Sequence, residues 1–223
     1  NIFEYQLMHH ALSEIAGVPV VNISYSAING MNKVLKNVED YLLTVVLLLI
    51  ASPVMLLIAI GVKSSSPGPI LYRQRRVGWN EVVFTMYKFR TMPVEAEKES
   101  GPIWSSKVDK RATRFGSFLR KTSLDELPQL FNVLQGKMSL IGPRPERPMF
   151  VEKYKKEIPH YMKKHLVKAG VTGWAQVHGW RGNTCLHTRI EHDLYYIENW
   201  SLWLDIKIIV MTVFRGLVHK NAY

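Results

Sequence analysis

Residues Tyr41 to Val62 read YLLTVVLLLIASPVMLLIAIGV, 22 residues without a charge. An uncharged run of this length has to be buried in protein or placed in lipid, so it restricts the fold more than any other segment. As one straight helix it is roughly 33 Å long, enough to cross the hydrocarbon core of a bilayer. Ser52-Pro53 falls at its middle. Proline removes a backbone donor and presses its ring on the carbonyl of Leu49, and the serine hydroxyl can bond back to the preceding turn and bend the helix further. Each half is then about eleven residues or roughly 16 Å, which reaches only mid-bilayer. Lys33 and Lys36 precede the run, and Lys63, Arg73, Arg75 and Arg76 follow it. Positive charge marks a cytoplasmic flank, and here both flanks carry it. A helix that enters, breaks at Ser52-Pro53 and returns to the same face satisfies both observations. A proline-kinked span is the other arrangement these residues allow.

The charge outside the run points to an anionic partner. The 223 residues include 29 Lys+Arg against 18 Asp+Glu, a net +11, and 47% are hydrophobic, which supports a packed core and excludes wholesale disorder. Thirteen Lys/Arg and five acids fall between Lys63 and Lys121, so this stretch carries +8 of the +11. A basic surface lying on anionic lipid accounts for part of the excess. Arginines interleaved with rigid or small residues, as in Lys88-Phe-Arg90 and Arg111-Ala-Thr-Arg114, suit phosphate oxygens equally well. Nucleic acid is the weakest partner beside a membrane segment. The single cysteine, Cys185, excludes an internal disulfide framework and agrees with a reducing compartment. Asn1 to Gly30 alternate short apolar patches with turn formers, with one strand expected from Val18, and read as the tail of a preceding domain.

Thr122-Ser-Leu-Asp-Glu-Leu-Pro-Gln-Leu-Phe-Asn-Val-Leu is the most informative segment. Ser123 and Glu126 have the spacing of a capping box, and Leu127, Leu130, Phe131 and Leu134 supply a helical apolar face; Pro128 could instead open the helix. Either start puts Asp125 and Glu126 at the positive end of a helix, where ionised carboxylates and nearby phosphate are favoured. Taken alone, Ser-x-x-Glu reads more simply as a cap. The neighbours shift the balance: Arg120 and Lys121 lie upstream, and Arg144 is clamped between Pro143 and Pro145 downstream. An acidic pair ringed by arginines suggests phosphoryl transfer. Pro148 to Lys168 interleaves Met149, Phe150, Tyr154, Ile158, Tyr161, Met162 and Leu166 with six lysines, fitting either a helix in the bilayer interface or a solvated helix packed on its own domain. The aromatic-then-aliphatic end, from Asp193 to Met211, suits a headgroup belt or a protein core. There is no HExxH, GxSxG, GxxxxGK or GxGxxG, and His187 and His192 read as an incidental surface pair.

In order, SSPGPILYRQRRVG, YKFRTM, RATRFGSFLRKTSLDELPQLFNVLQGKMSLIGPRPERP, VTGWAQVHGWRG and DLYYIENWSLWLDIKII resemble the bacterial sugar transferases called monotopic phosphoglycosyl transferases, from about Lys33 to the end. The flanking pieces are most similar to the polyprenyl-phosphate glucose or galactose phosphotransferases that initiate exopolysaccharide, capsule or O-antigen synthesis. The resemblance implies transfer of a hexose-1-phosphate from a UDP-sugar to undecaprenyl phosphate, releasing UMP, with Mg2+. Glucose is the first donor to expect, then galactose, then N-acetylated sugars. It assigns Asp125 as the nucleophile that forms a covalent phosphosugar intermediate and Glu126 as its acidic partner, the two also serving the metal. Lys88, Arg120, Arg144 and Asp193 are the substrate- and phosphate-binding positions by the same likeness, and Arg90 joins them from the Lys88-Phe-Arg90 pattern. Ser52-Pro53 matches the family's helix-breaking pair, which favours the re-entrant hairpin. Ala169 departs from the family, whose members often have proline there.

The expected fold is therefore α/β with more helix than sheet. It comprises a remnant of an upstream domain (1–32), a re-entrant membrane helix broken at Ser52-Pro53 (33–66), and a small helix-rich cytoplasmic catalytic domain with interfacial amphipathic helices (67–223). The expected location is the cytoplasmic face of the bacterial inner membrane. Undecaprenyl phosphate, a UDP-sugar and membrane lipids are the expected partners, a homodimer is implied by the larger family members, and no nucleic acid is expected.

Overall fold

The computed structural model describes residues 26–94, 96, 111–182 and 184–216, preceded by the backbone of two short strands. These strands, β1 (Ala11–Ile15) and β2 (Val18–Asn22), form an antiparallel hairpin, so a strand does begin at Val18. The rest of the expected upstream remnant before residue 26 lies outside the described residues.

Helix α1 (Gly30–Ser65) contains the whole apolar run and continues through Pro53. Ser52 Oγ donates to the Leu49 carbonyl at 2.9 Å, the back-bond that the Ser-Pro pair predicts. It is long and apolar enough to cross a membrane. Its buried positions lie towards the two ends: Lys36, Asp40 and Thr44 in the first half, Ile58 and Val62 in the second. Around the proline, Leu47, Leu49, Ile50, Val54, Leu56 and Leu57 are exposed. The two halves meet different parts of one domain. Leu43 and Leu48 pack on a large core built from Met86, Leu130, Leu140, Tyr196 and Ile208, whereas Met55, Ile58 and Val62 pack on Phe89 and Leu119.

That domain is helix-rich with two two-stranded sheets, β3–β4 and β5–β6, among the described residues, in line with the expected α/β class. Strands β3 (Leu71–Val77) and β4 (Val83–Phe89) pair antiparallel with Tyr72 opposite Lys88. Alternation along β4 buries Phe84 and Met86 and sends Lys88 to the same side two residues on. Helix α2 (Arg114–Lys121) is capped by Thr113, whose Oγ1 accepts the Gly116 N–H at 2.9 Å. A Cβ at Gly116 would overlap the Thr91 backbone, so glycine lets α2 lie against the strand end.

After α2 the chain departs from the capping-box expectation. Ser123 is left-handed (φ 57°) and makes no cap bond; Leu124–Glu126 forms one 3-10 turn, and helix α3 (Gln129–Leu134) starts after Pro128. In that conformation the Ser123 hydroxyl accepts from Arg181 at 3.0 Å rather than from its own turn. Buried Asn132 on α3 donates to Thr85 O (2.8 Å) and accepts the Tyr87 N–H (3.0 Å), tying the segment behind the acidic pair to the strand that carries Lys88.

Strand β5 (Ser139–Ile141) pairs parallel with β6 (Gly170–Thr172). Gly142 and Gly170 touch so closely that a Cβ at Gly170 would overlap the Gly142 backbone, which presses the Gly-Pro-Arg-Pro turn onto the Gly-Val-Thr-Gly loop. Pro148 to Lys168 is not one amphipathic helix: α4 (Pro148–Glu157) ends before Pro159, and a 3-10 turn spans Tyr161–Leu166. It buries Val151, Ile158, Tyr161 and Lys164, so this stretch packs on its own domain. Helices α5 (Trp174–Val177), α6 (Leu186–Glu198) and α7 (Leu202–Met211) complete the domain. On α7, Asp205 and Ile208 are buried while Leu202, Trp203, Ile206 and Val210 are exposed along one side.

A buried charge cluster joins these parts at the base of α1. Lys36 Nζ lies 2.9 Å from Asp40 and 2.7 Å from Asp205 of α7. Asp40 Oδ1 also accepts the Leu140 N–H of β5 at 3.0 Å, and Asp205 accepts from Tyr196 Oη (3.0 Å) and Trp200 Nε1 (2.9 Å).

Candidate active site

The turn Leu124–Glu126 forms part of the wall of a cavity of about 660 Å3, lined by ten Lys/Arg and three acids. Such an excess of cations suits a multiply charged anion. Glu126 is the hub. Its Oε1 accepts from Lys88 Nζ (2.8 Å), Arg144 Nη2 (2.5 Å) and Arg181 Nη2 (3.1 Å), and its Oε2 from Arg144 Nη1 (3.2 Å). Burial works to raise the pKa of Glu126, but Arg144, Lys88 and Arg181 outweigh it and hold the group well below the usual carboxylate range. Arg144 is fixed in turn by Gln176 Oε1 (2.8 Å), whose amide donates to Val171 O. Each of these contacts to Glu126 crosses between segments far apart in the chain.

Asp125 differs. It is equally buried, yet its Oδ1 has no hydrogen-bond partner. Burial pushes its pKa up and the Glu126 charge adds to that, with Lys88, Arg181 and Arg120 pulling the other way. A desolvated carboxylate oxygen beside clustered cations is more basic than one saturated with donors, and is chemically able to attack an electrophilic phosphorus.

Lys88, Arg90, Arg120 and Arg144 all line this cavity with the acidic pair. Arg90 also secures α1, because its guanidinium donates to Ser66 O and Pro67 O (both 2.6 Å) and holds the exit of the helix against the site. Arg120 Nε donates to Thr91 Oγ1 at 2.9 Å. Asp193 is not among the lining residues. It sits behind the wall, 3.6 Å from Lys164, which also reaches Glu146 at 3.1 Å. Glu146 accepts from Tyr161 Oη (2.6 Å) and faces Arg189 at 3.7 Å. Arg189 donates to Gly182 O, fixing the loop that presents Arg181. Burial raises Asp193 to about 6, with Lys164 opposing.

Sequence reasoning missed Arg181, Arg76, Arg147 and Arg189. The VTGWAQVHGWRG segment contains Arg181, but nothing in its spacing says that it turns back onto Glu126. Arg76 is lowered to about 10 by burial and by Arg144 and Arg147 nearby, a sign that cations are crowded here.

Among the described residues no three His, Cys, Asp or Glu side chains gather into a ready-made metal cage. Asp125 has an oxygen to offer. In Glu126, the expected second ligand, Oε1 is occupied by Lys88, Arg144 and Arg181, while Oε2 accepts from Arg144 alone. A Mg2+ held by Asp125 would draw its other ligands from substrate oxygens and water, a common arrangement for this ion.

Residues 31–219 match the family described as bacterial sugar transferase. The chain is 46% identical over 227 residues to the UDP-glucose:undecaprenyl-phosphate glucose-1-phosphate transferase of Escherichia coli K12, covering 100% of this chain and 49% of that protein. It is 48% identical over 229 residues to the protein of the same name from Xanthomonas campestris pv. campestris, covering 100% of this chain and 47% of the relative. A UDP-N-acetylgalactosamine-undecaprenyl-phosphate N-acetylgalactosaminephosphotransferase from Aeromonas hydrophila is 46% identical over 181 residues, 80% of this chain and 43% of that protein. The chain thus spans about half the length of these relatives.

Proposed function

The chain belongs to the bacterial sugar transferase family, and on that premise we propose that it transfers a hexose-1-phosphate from a UDP-sugar to undecaprenyl phosphate and releases UMP. The observation that carries this reading is the pairing of Asp125, buried with an unpartnered oxygen, with Glu126, which gathers Lys88, Arg144 and Arg181 beside it. In the first step an Asp125 oxygen attacks the sugar-bearing phosphorus. The bridging P–O bond breaks, and UMP leaves with that oxygen. In the second, a phosphate oxygen of undecaprenyl phosphate attacks the same phosphorus and Asp125 leaves as a carboxylate, giving undecaprenyl-diphosphate-sugar. The arginines and Lys88 offset charge on the transferring phosphoryl group and orient it for in-line attack. Bound Mg2+ would add to that charge neutralisation. Two relatives carry glucose in their names and one N-acetylgalactosamine, so glucose is the first donor to test, followed by galactose and the N-acetylated sugars.

The same reading covers the membrane. Both ends of α1 pack on one domain, its centre at Ser52-Pro53 is exposed and apolar, and lysines flank each end. These features support a re-entrant hairpin whose two flanks lie on the cytoplasmic face of the inner membrane. Residues 1–32 would then be the remnant of an upstream domain, and the exposed side of α7 would lie in the interface.

UMP release, measured on protein held in nanodiscs with undecaprenyl phosphate, Mg2+ and each UDP-sugar separately, tests the proposal. Release should require the lipid and disappear in Asp125→Asn and Asp125→Ala while folding and membrane association persist. Near-normal turnover by both variants would remove Asp125 from the chemistry. No release with any donor would favour a non-catalytic lipid-binding scaffold, for which the cation-ringed carboxylates have no evident use.

A further inference from the structure

A second cavity, of about 120 Å3, lies at the other end of the membrane helix from the exit held by Arg90. It is lined by Lys33, Lys36, Asn37 and Asp40 of α1, by Trp79 at the β3–β4 turn, and by Lys168, with a few apolar neighbours. Its volume is roughly that of four waters at about 30 Å3 each, enough for a phosphate group and too small for a nucleotide.

The charges are unevenly satisfied. Lys36 is met by three carboxylates, Asp205 at 2.7 Å, Asp40 at 2.9 Å and Glu39 at 3.9 Å. Lys33 and Lys168 have no carboxylate partner among the described residues. Lys33 Nζ sits 4.4 Å from the centre of the Trp79 ring, and Lys168 Nζ donates to Asn37 Oδ1 at 2.9 Å. Both donate to or rest on uncharged groups; half-burial lowers the Lys168 pKa, Asp40 in the same cavity opposes it, and the Lys33 and Lys36 charges add to the lowering. An anion placed between them would relieve that repulsion.

The level of the cavity identifies the anion. Lys33, Lys36, Asn37 and Asp40 occupy the turns just before Tyr41, where the uncharged run begins, so the cavity opens where lipid headgroups meet the helix. Tryptophan is enriched at that depth, and the face of its ring attracts a lysine. We propose that this cavity binds the phosphate of one anionic phospholipid between Lys33 and Lys168, fixing the base of the membrane helix against the catalytic domain. The site is separate from the catalytic cavity, and it rests on the reading that α1 enters the bilayer.

The test compares wild type, a Lys33→Gln/Lys168→Gln double variant and a Lys153→Gln/Lys156→Gln control, which removes two lysines of α4 remote from the cavity. Each is placed in nanodiscs of equal phosphatidylglycerol and phosphatidylcholine, released, and assayed by native mass spectrometry for retained phospholipid. Wild type and control should each retain one phosphatidylglycerol, and the Lys33/Lys168 variant should lose it, with affinity weakened on the order of tenfold or more. Equal retention by all three, or equal loss from the control, would overturn the site. Competition by inorganic phosphate in lipid-free detergent, dependent on the same two lysines, would make a soluble anion the ligand and overturn the lipid assignment. Wild type that fails to enter nanodiscs at all would overturn the membrane reading and the site with it.

Discussion

Asp125 and Glu126 are adjacent and equally buried, yet their pKa values move in opposite directions. Three cations hold Glu126 ionised, whereas Asp125 keeps a desolvated oxygen and rises above its usual value. Two carboxylates pushed apart in this way take different roles. On the proposed mechanism the charged form of Asp125 attacks, so kcat/KM should rise with pH through an acid limb lying above the ordinary aspartate value of about 3.9. In Glu126→Gln the repulsion from Glu126 is gone and its cations are left to favour the Asp125 carboxylate. The limb should move to lower pH while the plateau drops as Arg144 and Arg181 lose their anchor. A pH–rate profile of UMP release checks both, and an unmoved limb would separate Asp125 from the titration. Arg181→Ala should lower kcat/KM by about 10²-fold with little change in melting temperature, because it removes a donor beside the reacting group. Asp125, Glu126, Lys88, Arg120 and Arg144 were legible in the sequence, through motif order and clustered charge. Arg181 was not, because its bonds to Ser123 and Glu126 span more than fifty residues and no local period encodes them.

Helix α1 is the element whose length and apolarity were plain from the sequence and whose attachment was not. Asp40 receives both Lys36 and the Leu140 N–H, three and four residues before Pro143 and Arg144, so it joins the base of α1 to the strand that delivers an arginine of the candidate site. Asp40→Ala should destabilise the protein by about 3 kcal/mol, since it strands a buried donor and unbalances a buried ion pair. Asp40→Asn keeps an acceptor for Leu140 and should cost less. Denaturant unfolding in detergent measures the difference. The hairpin reading is tested by single cysteines at Lys33 and Ser64 in a Cys185→Ser background. Both should react with a membrane-impermeant thiol reagent from the same side of sealed vesicles, and labelling from opposite sides would establish a span. The capping-box expectation at Ser123 failed because a left-handed serine cannot cap its own turn, and Arg181 uses the hydroxyl instead.

Across the whole molecule, the catalytic wall is backed by a second charged layer of Glu146, Lys164, Arg189 and Asp193. Asp193 bears on stability as well as on the site. Its folded pKa is raised to about 6 from 3.8, so between those values it is protonated only when folded. Its favourable contribution is complete below pH 3.8 and is lost as pH rises through 6, and above that burying the charge opposes folding by up to about 3 kcal/mol. Asp193→Asn should therefore raise the melting temperature at pH 7.5, with the gain shrinking to nothing near pH 4. A loss of stability at pH 7.5 would mean that the carboxylate is held ionised by Lys164 after all.

By itself the sequence determined the long apolar run, the Ser-Pro pair at its centre, the basic surplus and the order of motifs that places the chain in its family. Those properties are local: hydropathy, backbone restriction at proline and charge count do not depend on what lies across the fold. Only the tertiary structure decided which cations meet Glu126, which carboxylate keeps a bare oxygen, and that Asp193 stands behind the wall instead of in it. Burial and ion pairing arise between residues distant in sequence, and it is burial and pairing that divide two neighbouring carboxylates into a cation-held anchor and a group with a bare oxygen.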